Sequence, residues 1–306
     1  MRRRLLNRTI TGTAVVCAAL LVAGCEAHAG GNPPAVEDAP QAPPVVATAP
    51  QPAAPPVQRA GSFDGLDARV RQATDAAAES GAAIETVILD RTTGQTVAGG
   101  GGAQFPIASV VKLFIADDLL LQEAEGKTTL SDADRQSLDV MLRSSDDSAA
   151  QMFWDRNGGN AVISRIVARY GLTGTTAPWN GHWDVTESTA ADLVRYYDML
   201  LTGSGGLPRE QADIIMDNLA RSTPTGTDGY PQRFGIPEGL YAEPVAVKQG
   251  WFCCWNGGNQ LHVSTGVIGA DRRYVMAIGS LDPTGEAAAR ANITQAVETM
   301  FPGGKI

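Results

Sequence analysis

Histidine and cysteine are scarce in this 306-residue sequence, with three and four residues respectively, and the scarcity removes several chemistries at the outset. His28 lies in the N-terminal segment, which leaves His182 and His262 for the rest of the chain, and neither an H-E-x-x-H nor a G-x-S-x-G pattern occurs. A zinc peptidase or a Ser-His-Asp hydrolase has little to be built from. Gly126-Lys127-Thr128 lacks the glycine five residues earlier that a phosphate-binding loop requires. The paired acids Asp117-Asp118 and Asp146-Asp147 read as solvated helix ends rather than ligands, so no metal and no cofactor is expected. No apolar run is long enough to span a bilayer comfortably, and Ile10 to Val22 is a short one.

That short run has a different use. It follows Arg2, Arg3, Arg4 and Arg8 and closes on Val22-Ala23-Gly24-Cys25, the basic region, apolar region and small-residue processing site of a secretory signal. A cysteine directly after Ala-Gly resembles the lipobox of bacterial lipoproteins, in which the signal is cut before the cysteine and that cysteine carries the lipid. Residues 1–24 are therefore expected to be removed, with Cys25 lipidated and holding the chain to the outer face of the cell membrane. Removal takes four arginines and no acid, leaving 20 basic against 33 acidic residues and a net charge of −13. Nucleic acid is not an expected partner of so acidic a chain. Cys17 leaves with the signal, so the only cysteines beyond the lipid site are the neighbours Cys253 and Cys254, which allow a strained vicinal disulfide or two free thiols.

From Gly31 to Ala60 the chain carries nine prolines and three charged residues without apolar periodicity. Such a stretch makes a disordered or partly extended tether, so residues 25–61 are expected to link the lipid site to one folded domain at 62–306. In that domain Leu66, Val70, Ala73 and Ala77 recur at helical spacing, followed by strands near Thr86–Asp90 and Gln95–Ala98. Helical patterns fill the middle, over Val110–Glu125, Ser131–Leu142, Asp147–Asp155, Ala161–Tyr170, Thr189–Leu201 and Arg209–Leu219. Strand character returns at Val245–Lys248, His262–Ile268 and Tyr274–Ile278, before a last helix at Glu286–Met300. Strands at both ends around a helical middle predict an α+β fold, its sheet built from distant halves of the chain and a helical subdomain inserted between them.

Ser109-Val110-Val111-Lys112 stands where the loop Gly99 to Ile107 gives way to an apolar helix. This spacing puts Lys112 one turn after Ser109 on the same helix face, an amine beside a hydroxyl. A serine hydroxyl is a poor nucleophile at neutral pH, and an amine of lowered pKa can take its proton. Downstream, Ser145-Asp146-Asp147 falls between two helical patterns and Lys248-Gln249-Gly250 ends the first returning strand.

In order and setting, these three elements resemble the S-x-x-K, S-D-N and K-T-G motifs of the serine β-lactamase and penicillin-binding family. The resemblance covers most of residues 63–306 and extends to alanine-rich lipoproteins of actinobacteria. It implies an antiparallel sheet flanked by helices, and it implies roles: Ser109 attacks a carbonyl, Lys112 activates it, and Ser145 relays a proton to the leaving group. Lys248 would support that relay and attract a substrate carboxylate, with Asp147, Gln249, Gly250 and Trp251 shaping the substrate site. The backbone N–H groups of Ser109 and Trp251 would hold the oxyanion.

The pattern departs from the family in four places. Asp147 stands where the family has asparagine, and a carboxylate there favours the charged form of Lys112. Gln249 replaces a hydroxyl residue. No Asp or Glu occurs between Asp155 and Asp184, where class A enzymes carry the glutamate of the deacylating water, and Glu187 falls at the start of the next helical pattern. The stretch from Lys112 to Ser145 is also shorter than in class A enzymes by roughly two dozen residues. The expected activity is thus an acyl-serine hydrolase for a peptide or ester, peptidoglycan included, that hydrolyses β-lactams poorly. The alternative is an inactive envelope lipoprotein that binds cell-wall fragments or a partner protein. Of Trp154, Trp179, Trp183, Trp251 and Trp255, the last two flank the Lys248 motif, and each tryptophan fits a cleft wall or core packing equally.

Overall fold

A computed structural model describes residues 63–306. The signal, Cys25 and the proline-rich tether lie outside the described residues.

Helix α1 (Leu66–Glu79) buries the four apolar residues that set its spacing, Leu66, Val70, Ala73 and Ala77. Strands β1 (Ala83–Asp90) and β2 (Thr96–Gly99) form a hairpin, and a two-residue strand β3 (Phe105–Pro106) follows. The helical middle then runs through a 3-10 turn (Ala108–Val111), α2 (Lys112–Ala124), α3 (Asp132–Arg143), α4 (Asp147–Arg156) and α5 (Ala161–Tyr170). It continues through a second 3-10 turn (Trp183–Val185), strand β4 (Glu187–Ser188), α6 (Ala190–Thr202), α7 (Arg209–Ala220) and the short α8 (Ile236–Gly239). Strands β5 (Val245–Trp255), β6 (Asn259–Ile268) and β7 (Tyr274–Asp282) precede the last helix, α9 (Glu286–Met300).

Five strands make one antiparallel sheet in the order β2-β1-β7-β6-β5, so the first hairpin joins the last strand across the whole helical insertion. Side chains of a strand alternate between faces, and β7 divides accordingly. Val275 and Ala277 pack toward α2 and α6, while Met276 and Ile278 pack toward α1 and α9. Helix α2 is the centre of the first of these cores: every residue from Lys112 to Leu120 is buried. A helix buried all round carries apolar residues on every face, and the polar exceptions on α2 are each matched. Asp117 accepts from Arg169, Tyr170 and Tyr196, and Asp118 accepts from Arg165 at 2.6 and 2.8 Å. These two acids are therefore interior tie points between α2, α5 and α6, not the solvated helix end that their sequence pattern predicts.

Two further expectations change. Glu187 lies in β4, paired with Pro106 of β3, and α6 starts later, with the Thr189 hydroxyl accepting from the Asp192 N–H as its cap. Strand β5 runs seven residues past Lys248, because its pairing with β6 continues across a register shift between Cys253 and Trp255.

The sheet is clamped where β1 meets β7. Arg273 donates to both oxygens of Asp90, at 2.9 and 2.5 Å, and holds that carboxyl down to about 2. A carboxyl with a depressed folded pKa stabilises the fold above its unfolded value near 4 and loses that contribution as pH falls toward 2. With Arg273 partly open to solvent, Asp90→Asn should cost about 1–2 kcal/mol at pH 7 and progressively less below pH 4. Urea unfolding of both proteins at pH 7 and pH 3 measures the gap, and an equal gap at the two values contradicts this role.

Candidate active site

The 3-10 turn Ala108–Val111 brings Ser109 and Lys112 together. Residues three apart eclipse in a 3-10 helix, and the Lys112 Nζ lies 2.8 Å from the Ser109 Oγ. The residue before the serine, Ala108, has φ +46°, and Ser145 has φ +58°. A β-carbon is disfavoured in that left-handed region, so backbone strain sits beside Ser109 and at the second motif alike.

Ser145 precedes α4, whose cap is the Asp146 carboxylate accepting from the Ala149 N–H at 2.8 Å. That capping turn directs both the carbonyl and the hydroxyl of Ser145 at Lys112, with Nζ 2.6 Å from the carbonyl oxygen and 3.3 Å from Oγ. From the other side Lys248 on β5 donates to the Ser145 Oγ at 2.9 Å and to the Gln249 carbonyl at 2.8 Å. Ser109, Lys112, Ser145 and Lys248 thus form one connected line of hydroxyls and amines. Burial pushes the pKa of Lys112 below the usual lysine value, against the pull of Asp147. Burial, then the neighbouring Lys112, pushes Lys248 much further down.

Asp147 completes the contacts of Lys112. Its Oδ1 lies 2.6 Å from Nζ, while the side chain as a whole stays 70% exposed. The Trp183 ring closes the remaining side, with Nζ 4.7 Å from the ring centroid. Above Ser109 opens a cleft of about 290 Å³, walled by Asp147, Gln151, Trp183, Asp184, Trp251 and Phe252 among others. A neighbouring cavity of about 330 Å³ shares Asp147, Asp228, Trp251 and Phe252 with it. Gln151, Asp184, Asp228 and Phe252 carry no motif that sequence reasoning could have used. They arrive from α4, from the second 3-10 turn, from the loop before α8 and from β5.

The β-lactamase enzyme family matches residues 135–301, more than half of the chain. "Putative lipoprotein LppW" from Mycobacterium tuberculosis is 61% identical over 255 residues, covering 83% of this chain and 81% of that protein, and the same holds for its namesake in Mycobacterium bovis. This chain belongs to the β-lactamase enzyme family. Its fold is that of solved family structures: a β-lactamase from Chitinophaga pinensis (TM-score 0.60, 16% identity, 75% of this chain and 97% of that one) and PBP-A (TM-score 0.63, 19% identity, 78% and 94%). The matched segment begins after Ser109 and Lys112, so the placement of those two residues rests on the geometry above.

Within this β-lactamase frame the third motif divides. Lys248 and Gln249 are consecutive in a strand and face opposite sides of the sheet. Lys248 reaches Ser145, whereas Gln249 is 1% exposed and donates to the Phe234 carbonyl at 2.6 Å on the α9 side. The expectation that Gln249 binds substrate is corrected on that ground. Trp251 lies on the Gln249 side of the strand, yet its ring curls over the sheet edge to line the cleft, stacked on Tyr230 at 4.8 Å and donating to Asp228. Among the other tryptophans Trp154 is core, Trp179 is exposed, and Trp255 packs against Phe252. Cys253 and Cys254 lie side by side on the exposed part of β5 as a vicinal disulfide.

Gly250 has a steric reason. A β-carbon there would sit 2.5 Å from the Ile107 carbonyl oxygen and 3.2 Å from the Ser109 nitrogen, so β5 passes against the turn that carries Ser109. Gly250→Ala should therefore lower stability by about 1–3 kcal/mol, the range of overpacking in a tight interior. Chemical denaturation reads this directly, and an unchanged midpoint would mean that the turn and the strand can separate freely.

Proposed function

We propose that this chain is an acyl-serine hydrolase of the cell envelope, anchored by lipid on Cys25 and acting on a peptide or ester in the cleft above Ser109. The observation that carries the reading is the unbroken line Ser109 Oγ, Lys112 Nζ, Ser145 Oγ and Lys248 Nζ. Support for the setting comes from the relative named as a lipoprotein, and support for the chemistry from a PBP-A variant of the same fold whose structure is an acyl-enzyme complex with penicillin G.

The hydrogen-bond count around Lys112 matters for the step. A neutral amine has two N–H donors and one lone pair. As an ammonium group Lys112 donates to the Ser109 hydroxyl, the Ser145 carbonyl and Asp147; once neutral it keeps two donors for the last two and has a lone pair for the Ser109 O–H. As the Ser109 Oγ bonds to the substrate carbonyl carbon, its proton moves to Lys112. The carbonyl oxygen becomes an oxyanion held by the backbone N–H groups of Ser109 and Trp251. When the carbonyl reforms, the bond to the leaving nitrogen or oxygen breaks, and the Ser145 hydroxyl protonates the leaving group and is reprotonated from Lys112. Water then attacks the acyl-serine, adding OH to the acyl group and returning the proton to Ser109. Lys248, pushed well down in pKa by burial and then by the neighbouring Lys112, keeps the relay from carrying two fixed charges.

The salt bridge from Asp147 favours a second reading, a scaffold that binds without turnover, because it holds Lys112 toward its charged form. Labelling decides between the two. Residues 60–306 treated with a fluorophosphonate or a tagged penicillin should gain one covalent adduct by mass spectrometry, and Ser109→Ala should gain none. Absence of an adduct with both probes, or an adduct that survives Ser109→Ala, rejects the hydrolase.

Asp147 supplies a further check. Replacement by asparagine removes a group that raises the Lys112 pKa, so the amine loses its proton at lower pH. Asp147→Asn should acylate about tenfold faster at pH 7, with the rising limb of its pH profile moved to lower pH. A profile that stays in place shows that Asp147 does not control the amine.

A further inference from the structure

Release of an acyl group from Ser109 requires a water molecule to lose a proton as it attacks, and a positioned base lowers the barrier to that step. The lining of the cleft offers three carboxylates for the task, Asp147, Asp184 and Asp228. Asp228 has both oxygens occupied: Oδ1 accepts from the Tyr230 N–H at 2.9 Å and Oδ2 from the Trp251 Nε1–H at 3.1 Å. Among the described residues no hydrogen bond joins Asp184 to the line of Ser109, Lys112, Ser145 and Lys248. Asp147 is joined to it directly, through Lys112.

The two oxygens of Asp147 have different surroundings. Oδ1 lies 2.6 Å from the Lys112 Nζ, which lies 2.8 Å from the Ser109 Oγ, so the carboxylate and the hydroxyl are no further apart than two hydrogen bonds laid end to end. Among the described residues Oδ2 accepts no hydrogen bond, and the side chain stands 70% exposed at the wall of the cleft. A water bonded to Oδ2 over Ser109 is therefore within reach of an acyl carbon on Oγ, the geometry a general base needs. Nor is the carboxylate occupied at the end of α4, where Asp146 is the cap.

We propose that Asp147 is the general base of deacylation, taking a proton from the water that releases the acyl group from Ser109. The proposal rests on the hydrolase reading. As the water oxygen bonds to the acyl carbon, one of its protons passes to the Asp147 carboxylate and the carbonyl oxygen takes up the negative charge. When the carbonyl reforms, the bond from carbon to Oγ breaks. Asp147 then passes its proton to Lys112 along their shared hydrogen bond, and Lys112 passes one on to Oγ, so the acid is released and every group returns to its starting state. One carboxylate thus has opposite effects on the two half-reactions. It holds a proton on Lys112 before acylation and removes one from water after it, a pair of effects that a merely structural residue does not produce.

The test reads the two half-reactions separately, on the mature protein with a p-nitrophenyl ester of a short acyl group. Release of p-nitrophenolate follows acylation, and mass spectrometry of the isolated adduct follows its decay. In Asp147→Asn acylation should be faster than in the wild type, while the Ser109 adduct should decay about a hundredfold more slowly, the lower end of what a general base contributes. In Asp147→Ala, added formate should restore decay in proportion to its concentration, because it supplies the missing carboxylate. Circular dichroism confirms that both variants are folded. An adduct of Asp147→Asn that decays at the wild-type rate, decay in Asp147→Ala that formate leaves unchanged, or an adduct trapped by Asp184→Asn in place of Asp147→Asn overturns the assignment and leaves the acyl-serine reading standing. Absence of any adduct at Ser109 in the wild type overturns both, so the two failures are told apart.

Discussion

Lys112 has no exposed surface, and an amine taken out of water must either have its N–H groups bonded or give up its charge. Here the bonds come from three separate places: the preceding 3-10 turn, the turn before α4, and the Asp147 carboxylate. Each partner belongs to an element that packs elsewhere, so the position of one nitrogen depends on the whole helical insertion. Lys112 is also the first residue of α2, where the partial positive charge of the helix end faces it. Helix end and burial both work against the ammonium form, and Asp147 works for it.

The rest of α2 shows how such a helix is fixed. Asp117, with no exposed surface, is tied to Arg169, Tyr170 and Tyr196, and burial raises its pKa against the pull of Arg169. Removing one partner from such a group leaves a buried charge uncompensated, which costs more than the intact pair contributes. The cluster therefore opposes displacement of α2 relative to α5 and α6. The 3-10 turn that continues from α2 inherits that rigidity, and Gly250 lets β5 close on it from the sheet side. Ser109, between these two packed elements, is thus held in its geometry by the fold itself.

Much of this was legible in the sequence, for reasons that differ by element. Helices α5 and α9 keep the bounds read from apolar spacing, because long periodic segments are decided locally. Strands β3 and β4 were not legible: two residues hold no period, and they pair across eighty residues of chain. Ser109, Lys112, Ser145 and Lys248, which the structure brings into one hydrogen-bonded line, were legible because family motifs mark them, and the partnership of Asp147 with Lys112 followed from charge alone. Gln249 was misplaced by treating three consecutive residues as one functional unit, although the two-residue period of a strand already separates it from Lys248. Asp184 and Asp228 had no local signal. Their meaning comes from the cleft that distant segments build around Ser109.

Asp147 touches both the buried amine and the open cleft. One of its oxygens holds Lys112 while most of the side chain remains open to the cleft. The exchange of asparagine for aspartate, which looks like a lost feature when read as a motif, thus sets a carboxylate directly on the amine beside Ser109 and opposes the effect of burial on it.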